Sequence, residues 1–142
     1  MFNIMDVLAS GLSTARTRMN VLASNIANAQ TTRTAEGGPY KRRDVVVYAN
    51  EEKSGFGSML DQVSLQKPMV AGVVEDNSPA RLVYEPNHPD ADENGNVAYP
   101  NINIVASMTE LMTISRLYQA NATALDTAKR MNQEARRIST TA

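Results

Sequence analysis

Cysteine and tryptophan are absent from this 142-residue sequence, and phenylalanine occurs only twice. Without thiols there can be no disulfide, thiolate metal site or cysteine nucleophile. Aromatic residues amount to 5%. Large rings supply much of the buried area of a dense core, so one compact core is not expected. An excess of charge of one sign is missing as well: 14 Lys and Arg stand against 15 Asp and Glu, a net charge of −1. A polyanion binder carries a clear basic excess. Here the longest basic run, Lys41-Arg42-Arg43, is closed at once by Asp44, and no nucleic-acid partner is expected. No stretch reaches the roughly 18 apolar residues that span a bilayer, which predicts no direct membrane insertion. The first 15 residues hold neither Lys nor Arg. The basic start of a secretory signal peptide is therefore missing, and export, if it occurs, is expected to remove no such peptide.

Proline and glycine are also nearly absent from the two ends. All 6 Pro, and every one of the 7 Gly except Gly11, lie between residues 37 and 100. Met1, Met5, Leu8, Leu12, Ala15, Met19, Leu22 and Ile26 repeat at alternating steps of 4 and 3. That is a heptad seam, the pattern of a helix packed along other helices. The pattern predicts a helix over about 5–28, stopped at Asn28, a residue that tolerates the left-handed conformation after a helix end. A second helix is predicted over about 104–138. Its apolar stripe is read as Met108, Leu111, Ile114, Tyr118, Ala122, Leu125, Ala128, Met131, Ala135 and Ile138. Roughly 35 helical residues extend about 50 Å. Such a rod needs a partner for its stripe, either the N-terminal helix or neighbouring subunits.

Between the helices, Asp44–Tyr48, Met69–Val74, Arg81–Glu85 and Asn96–Tyr99 read as strands from their β-branched content. Gly37-Gly38-Pro39 marks a turn, and Asn94-Gly95 is a turn dipeptide that can return the chain between the last two strands. Asn50–Ser58 reads as a loop, and Asn50–Lys67 has no assigned role. The expected fold is mainly α with a small β insert. Long N- and C-terminal helices form a coiled-coil-like pair over residues 1–30 and 104–142, with a β-rich segment over 31–103.

Few residues suggest chemistry. Asp90, Asp92 and Asn94 with Gly95 match the opening of a calcium loop, but the twelfth position is Asn101 where such loops place a bidentate Glu. Pro86 and Pro89 also forbid a regular entering helix. A polar turn with two exposed carboxylates is the simpler reading. His88, the only histidine, lies between Pro86 and Pro89 in an expected exposed loop, with no nucleophile suggested nearby. Gly55-Phe56-Gly57 is too short for a phosphate loop. Met5, Met19, Met108, Met112 and Met131 are read as packing residues. No catalytic residue, metal ligand or cofactor is expected. The amides Asn20, Asn25, Asn28, Gln119, Asn121, Asn132 and Gln133 suggest polar contacts that fix register between helices.

Ser24-Asn25-Ile26-Ala27-Asn28 followed by Thr31, with Gly11-Leu12 and Met19-Asn20 before it, pairs with Arg116-Leu117-Tyr118-Gln119-Ala120-Asn121 near the other end. These paired signatures resemble the flagellar axial protein family of rod, hook and hook-associated subunits. Gly38-Pro39-Tyr40, Leu82-Val83-Tyr84-Glu85-Pro86, Pro89-Asp90-Ala91-Asp92 and Pro100-Asn101 extend the likeness, toward the proximal rod members. The resemblance implies a structural subunit, not an enzyme. It implies export through the flagellar type III apparatus and assembly into a hollow periplasmic rod that transmits torque and passes later subunits. The implied partners are copies of itself, other proximal and distal rod proteins, and the protein joining the rod base to the membrane ring. The residues expected at assembly interfaces are Leu8, Leu12, Met19, Leu22, Asn25, Ile26, Asn28, Met108, Leu111, Tyr118, Gln119, Asn121 and Leu125.

Overall fold

The computed structural model describes residues 2–50 and 66–141. Two helices, α1 (Phe2–Ala27) and α2 (Ile104–Thr141), enclose four strands: β1 (Arg43–Asn50), β2 (Lys67–Glu75), β3 (Arg81–Tyr84) and β4 (Asn96–Tyr99). The expected loop from Asn50 to Ser58 falls almost wholly outside the described residues. Among the described residues no helix is long and apolar enough to cross a membrane.

The helix ends follow local chemistry. Asn103 immediately precedes α2; its Oδ1 accepts the Ala106 N–H at 3.0 Å while its carbonyl accepts the Ser107 N–H at 2.9 Å. This is an N-cap. α1 stops before Asn28 as expected, but by another device. No described residue other than glycine has a positive φ. Instead the Asn28 side chain folds back, its Nδ2 donating to the Ser24 carbonyl at 2.9 Å and its Oδ1 accepting from Thr31 Oγ1 at 3.2 Å.

α1 and α2 pack antiparallel: Arg18 reaches Glu110 at 2.9 Å, and Gly11 lies against Asn121. Ala15, Leu22 and Ile114 form a small buried cluster, closed by Met19, Leu111 and Tyr118. In α1 every described member of the heptad seam is at least partly buried. In α2 the seam differs from the stripe read from the sequence. The seam runs through Ser107, Leu111, Ile114, Tyr118, Asn121, Leu125, Ala128 and Asn132, again at steps of 4 and 3, with Glu110 and Ser115 half-buried beside it. Met108, Met131 and Ile138 are 50%, 62% and 70% exposed, and Ala122 and Ala135 are exposed too. Joining apolar residues alone broke the alternation, with two successive steps of four at Ile114–Tyr118–Ala122 and runs of three at Met108–Leu111–Ile114 and Ala122–Leu125–Ala128–Met131. A step of four turns the line by roughly 40° one way and a step of three by roughly 60° the other on a 3.6-residue helix. The real seam stays straight by accepting Ser107, Asn121 and Asn132.

The strands form two separate antiparallel pairs, β1–β2 and β3–β4. β1 and β2 pair from Arg43↔Glu75 to Asn50↔Lys67, with a bulge between Val46 and Val47. The ribbon is fastened to α1 by Ser10 Oγ and by Thr14 Oγ1 (3.2 Å), both donating to the Pro68 carbonyl. β3 and β4 pair from Arg81↔Tyr99 to Tyr84↔Asn96. Asn94-Gly95 does not join them as a two-residue hairpin. It closes a local turn, with Gly95 at φ 76 and its N–H donating to the Asp92 carbonyl at 2.9 Å.

Candidate assembly surface

The features that hinted at chemistry turn out to hold the fold. Asp92 Oδ1 accepts the N–H groups of Asn94 and Asn96, both at 2.8 Å, so this carboxylate shapes the turn. Asp90 is more than an exposed turn residue. Its Oδ2 accepts from Thr32 Oγ1 at 2.8 Å and its Oδ1 lies 3.7 Å from Arg33, which ties the segment after α1 to the β3–β4 loop. No cluster of three metal-ligating side chains occurs among the described residues. His88 is half-buried and edge-on to Tyr99, with its Nδ1 accepting the Asp90 N–H at 3.1 Å. The Tyr99 hydroxyl donates to Glu85 at 3.0 Å. That bond holds the proton on the phenol and raises its pKa, with burial and the Glu85 charge adding to the effect and Arg81 opposing it.

The residues expected at interfaces divide into three groups. Leu12, Met19, Leu22, Ile26, Leu111, Tyr118, Asn121 and Leu125 are buried or half-buried, and most of them line the contact between α1 and α2. Asn25 and Asn28 are engaged within the chain. Asn25 is 1% exposed. Its Nδ2 donates to the Arg43 carbonyl at 2.7 Å; its Oδ1 accepts the Arg43 N–H at 3.0 Å and the Tyr40 hydroxyl at 3.1 Å. One amide thus imitates a neighbouring strand and sets the start of β1 against α1. Met108 and Gln119 face outward, and Leu8 is half-buried beside an apolar groove.

Sequence reasoning missed several outward apolar residues. Val105 (74% exposed) and Met112 (64% exposed) flank Met108 on α2. Their 3 and 4 spacing is legible in the sequence, but it is obscured when Met108 is counted in the inward stripe. The β1–β2 ribbon exposes Tyr48, Val73 and Val74, and β3 exposes Leu82 and Tyr84. In strands this short, alternation does not say which face will be covered.

Among the described residues the buried apolar core is correspondingly small: Ala15, Leu22, Ala29, Val97 and Ile114. The accessible surface is 10496 Å², whereas a compact chain of this mass exposes about 7,200 Å². With a stretch as long as residues 51–65 set aside on both sides, about 2,400 Å² of extended chain from the total and about 1.6 kDa from the mass, about 1,400 Å² of excess remains. One partner's share of a standard protein interface is about 800 Å². What this arrangement can do is associate.

Comparison with known proteins agrees along the chain. Residues 5–33 match the family described as flagella basal body rod protein, and residues 93–138 match the flagellar basal body rod FlgEFG protein C-terminal family. The flagellar basal-body rod protein FlgC of Salmonella typhimurium is 40% identical, with 92% of each chain covered. The protein of the same name from Borreliella burgdorferi is 36% identical over 95% of each chain. That of Bacillus subtilis is 35% identical over 96% of this chain and 97% of its own. Likeness of this degree over nearly the whole length, on a fold of two long terminal helices around a β insert, means that the chain belongs to the FlgC family of flagellar basal-body rod proteins and is a structural subunit of that rod.

Proposed function

We propose that the chain is a proximal rod subunit that acts by assembly alone, without catalysis. It packs with copies of itself and with other rod proteins into a hollow helical shaft, which transmits torque and passes exported subunits. In this reading the flagellar type III apparatus delivers the chain, and the protein joining the rod base to the membrane ring is among its neighbours. The inward members of the expected interface set, Leu12 to Leu125, hold the helical pair together. Met108 and Gln119, with the apolar residues around them, meet neighbouring subunits.

The observation that carries the reading is the mismatch between a 38-residue helix and its 26-residue partner. Gly11 opposite Asn121 and Arg18 opposite Glu110 put the start of α1 near residue 129 of α2. The last dozen residues of α2 therefore extend about 18 Å beyond α1, carrying Met131 and Ile138 exposed. A helix that projects with apolar residues in water gains its stability from packing against others. Basal bodies isolated from cells lacking the gene, and from cells with it restored, provide the test. The expected result is no rod and no hook without the gene, and rods containing the chain when it returns. Complete rods formed in its absence would overturn the proposal.

A further inference from the structure

Asn94 alone among the asparagines precedes glycine. The backbone nitrogen of a following glycine can attack an asparagine side-chain carbonyl carbon, because no Cβ stands in the way. Asn96, two residues on, is followed by the β-branched Val97, which crowds the same approach. The fold needs glycine at 95. Its φ is 76, and a Cβ there would stand 2.9 Å from the Tyr84 ring and 3.2 Å from Pro86. A shielding residue is therefore barred, and the reactive pair is kept in an exposed position that water reaches.

The same turn withholds the nucleophile. The Gly95 N–H donates to the Asp92 carbonyl at 2.9 Å, and the Asn94 N–H donates to Asp92 Oδ1 at 2.8 Å. The Gly95 carbonyl accepts the Glu85 N–H at 2.8 Å, and the Asp92 N–H donates to the Asn96 carbonyl at 2.9 Å. Both peptide groups that flank Asn94 are thus pinned. Reaction requires the Gly95 nitrogen to give up its proton and the peptide between the two residues to rotate toward Asn94 Cγ. Either step breaks the bond to Asp92.

We propose that Asn94 is a deamidation site gated by this turn, reactive while the chain is unfolded and protected once β3 and β4 pair. The Gly95 nitrogen bonds to Asn94 Cγ, and the side-chain nitrogen leaves as ammonia with the proton that Gly95 gives up. A cyclic imide remains. Water then adds to one or the other of its carbonyls, giving aspartate or isoaspartate. Aspartate adds a further carboxylate beside Asp90, Asp92 and Glu93. Isoaspartate lengthens the backbone by a carbon, so the bonds from Asp92 Oδ1 to both N–H groups no longer fit, at the Tyr84↔Asn96 end of the strand pair. A chain that waits unfolded is thereby marked, and one that folds promptly is not.

The full chain, held at mildly alkaline pH in buffer and in concentrated guanidinium, provides the test. After digestion, conversion at residue 94 is counted by mass spectrometry against Asn96, and amide exchange at Gly95 is followed in the buffer sample. In denaturant, Asn94 should convert well ahead of Asn96. In buffer its conversion should be at least about tenfold slower, because reaction through local opening scales with the open population. A smaller ratio would overturn the proposal. So would unprotected exchange at Gly95 in buffer, or Asn96 converting as fast as Asn94 in denaturant.

Discussion

The substitution Ile114→Asp probes the centre of the molecule. Ile114 is 3% exposed and packs with Ala15 and Leu22, which complete the buried cluster between the helices among the described residues. Losing its burial removes about 2–3 kcal/mol. Placing a carboxylate there without a partner costs several kcal/mol more after relaxation. Glu110, one turn earlier on the same helix, adds like-charge repulsion of a few tenths of a kcal/mol. The total exceeds about 5 kcal/mol, comparable to the whole stability of a small domain, and this chain has little other core to absorb it. The helical pair should therefore come apart in the isolated subunit, read as a loss of circular dichroism and of a cooperative thermal transition, and rods should not form. Leu117→Asp is the control. Leu117 lies three residues away on the same helix and is 51% exposed, so its effect on the isolated subunit should stay within about 0.5 kcal/mol. An Ile114→Asp subunit with unchanged helix content and melting temperature would show that α1 and α2 do not hold each other within one chain.

Asn25→Ala removes three hydrogen bonds and leaves both backbone groups of Arg43 without their partner; each orphaned group costs about 1–3 kcal/mol. Amide exchange at Arg43 should quicken by at least tenfold while α2 near Ile114 stays protected, and unchanged exchange at Arg43 would contradict the role given to Asn25. Asp90→Ala should lower the melting temperature measurably, because Thr32 and Arg33 both lean on that carboxylate, and added calcium should shift neither the variant nor the parent. Tyr99 supplies a pH test. Its folded pKa is raised above 10.0 by the bond to Glu85, so that stabilisation is complete below the unfolded pKa and is lost as pH rises through the higher folded value. Ultraviolet titration should show one late-ionising phenol that Tyr99→Phe abolishes; the same late step surviving in Tyr99→Phe would assign it elsewhere.

Much of the architecture was legible in the residues themselves. The heptad of Met5 to Ile26 and the clearing of Pro and Gly from both ends depend only on helix geometry and on backbone freedom, which are local properties. The strands at 43–50 and 67–75 follow from β-branched runs for the same reason. The lack of thiols, of an 18-residue apolar run and of an excess of charge could likewise be read from composition. The paired amide-rich signatures pointed to the family before any coordinate did.

Other features were decided only when distant segments met. Which face of α2 turns inward depends on where α1 lies, and apolar content alone chose Met108, Ala122 and Met131 over Ser107, Asn121 and Asn132. In the folded chain Asn121 holds a seam position because Gly11 opposite it has no side chain; a methyl group there would stand 3.3 Å from the Asn121 amide nitrogen. Asn25 reads as one of several amides that fix register between helices, yet in the fold it is engaged by Arg43, eighteen residues on. Asp90 looked like a turn carboxylate until Thr32 approached across 58 residues. A side chain's chemistry is written in its own position, but whether it is satisfied, covered or left outward depends on what the rest of the chain brings beside it.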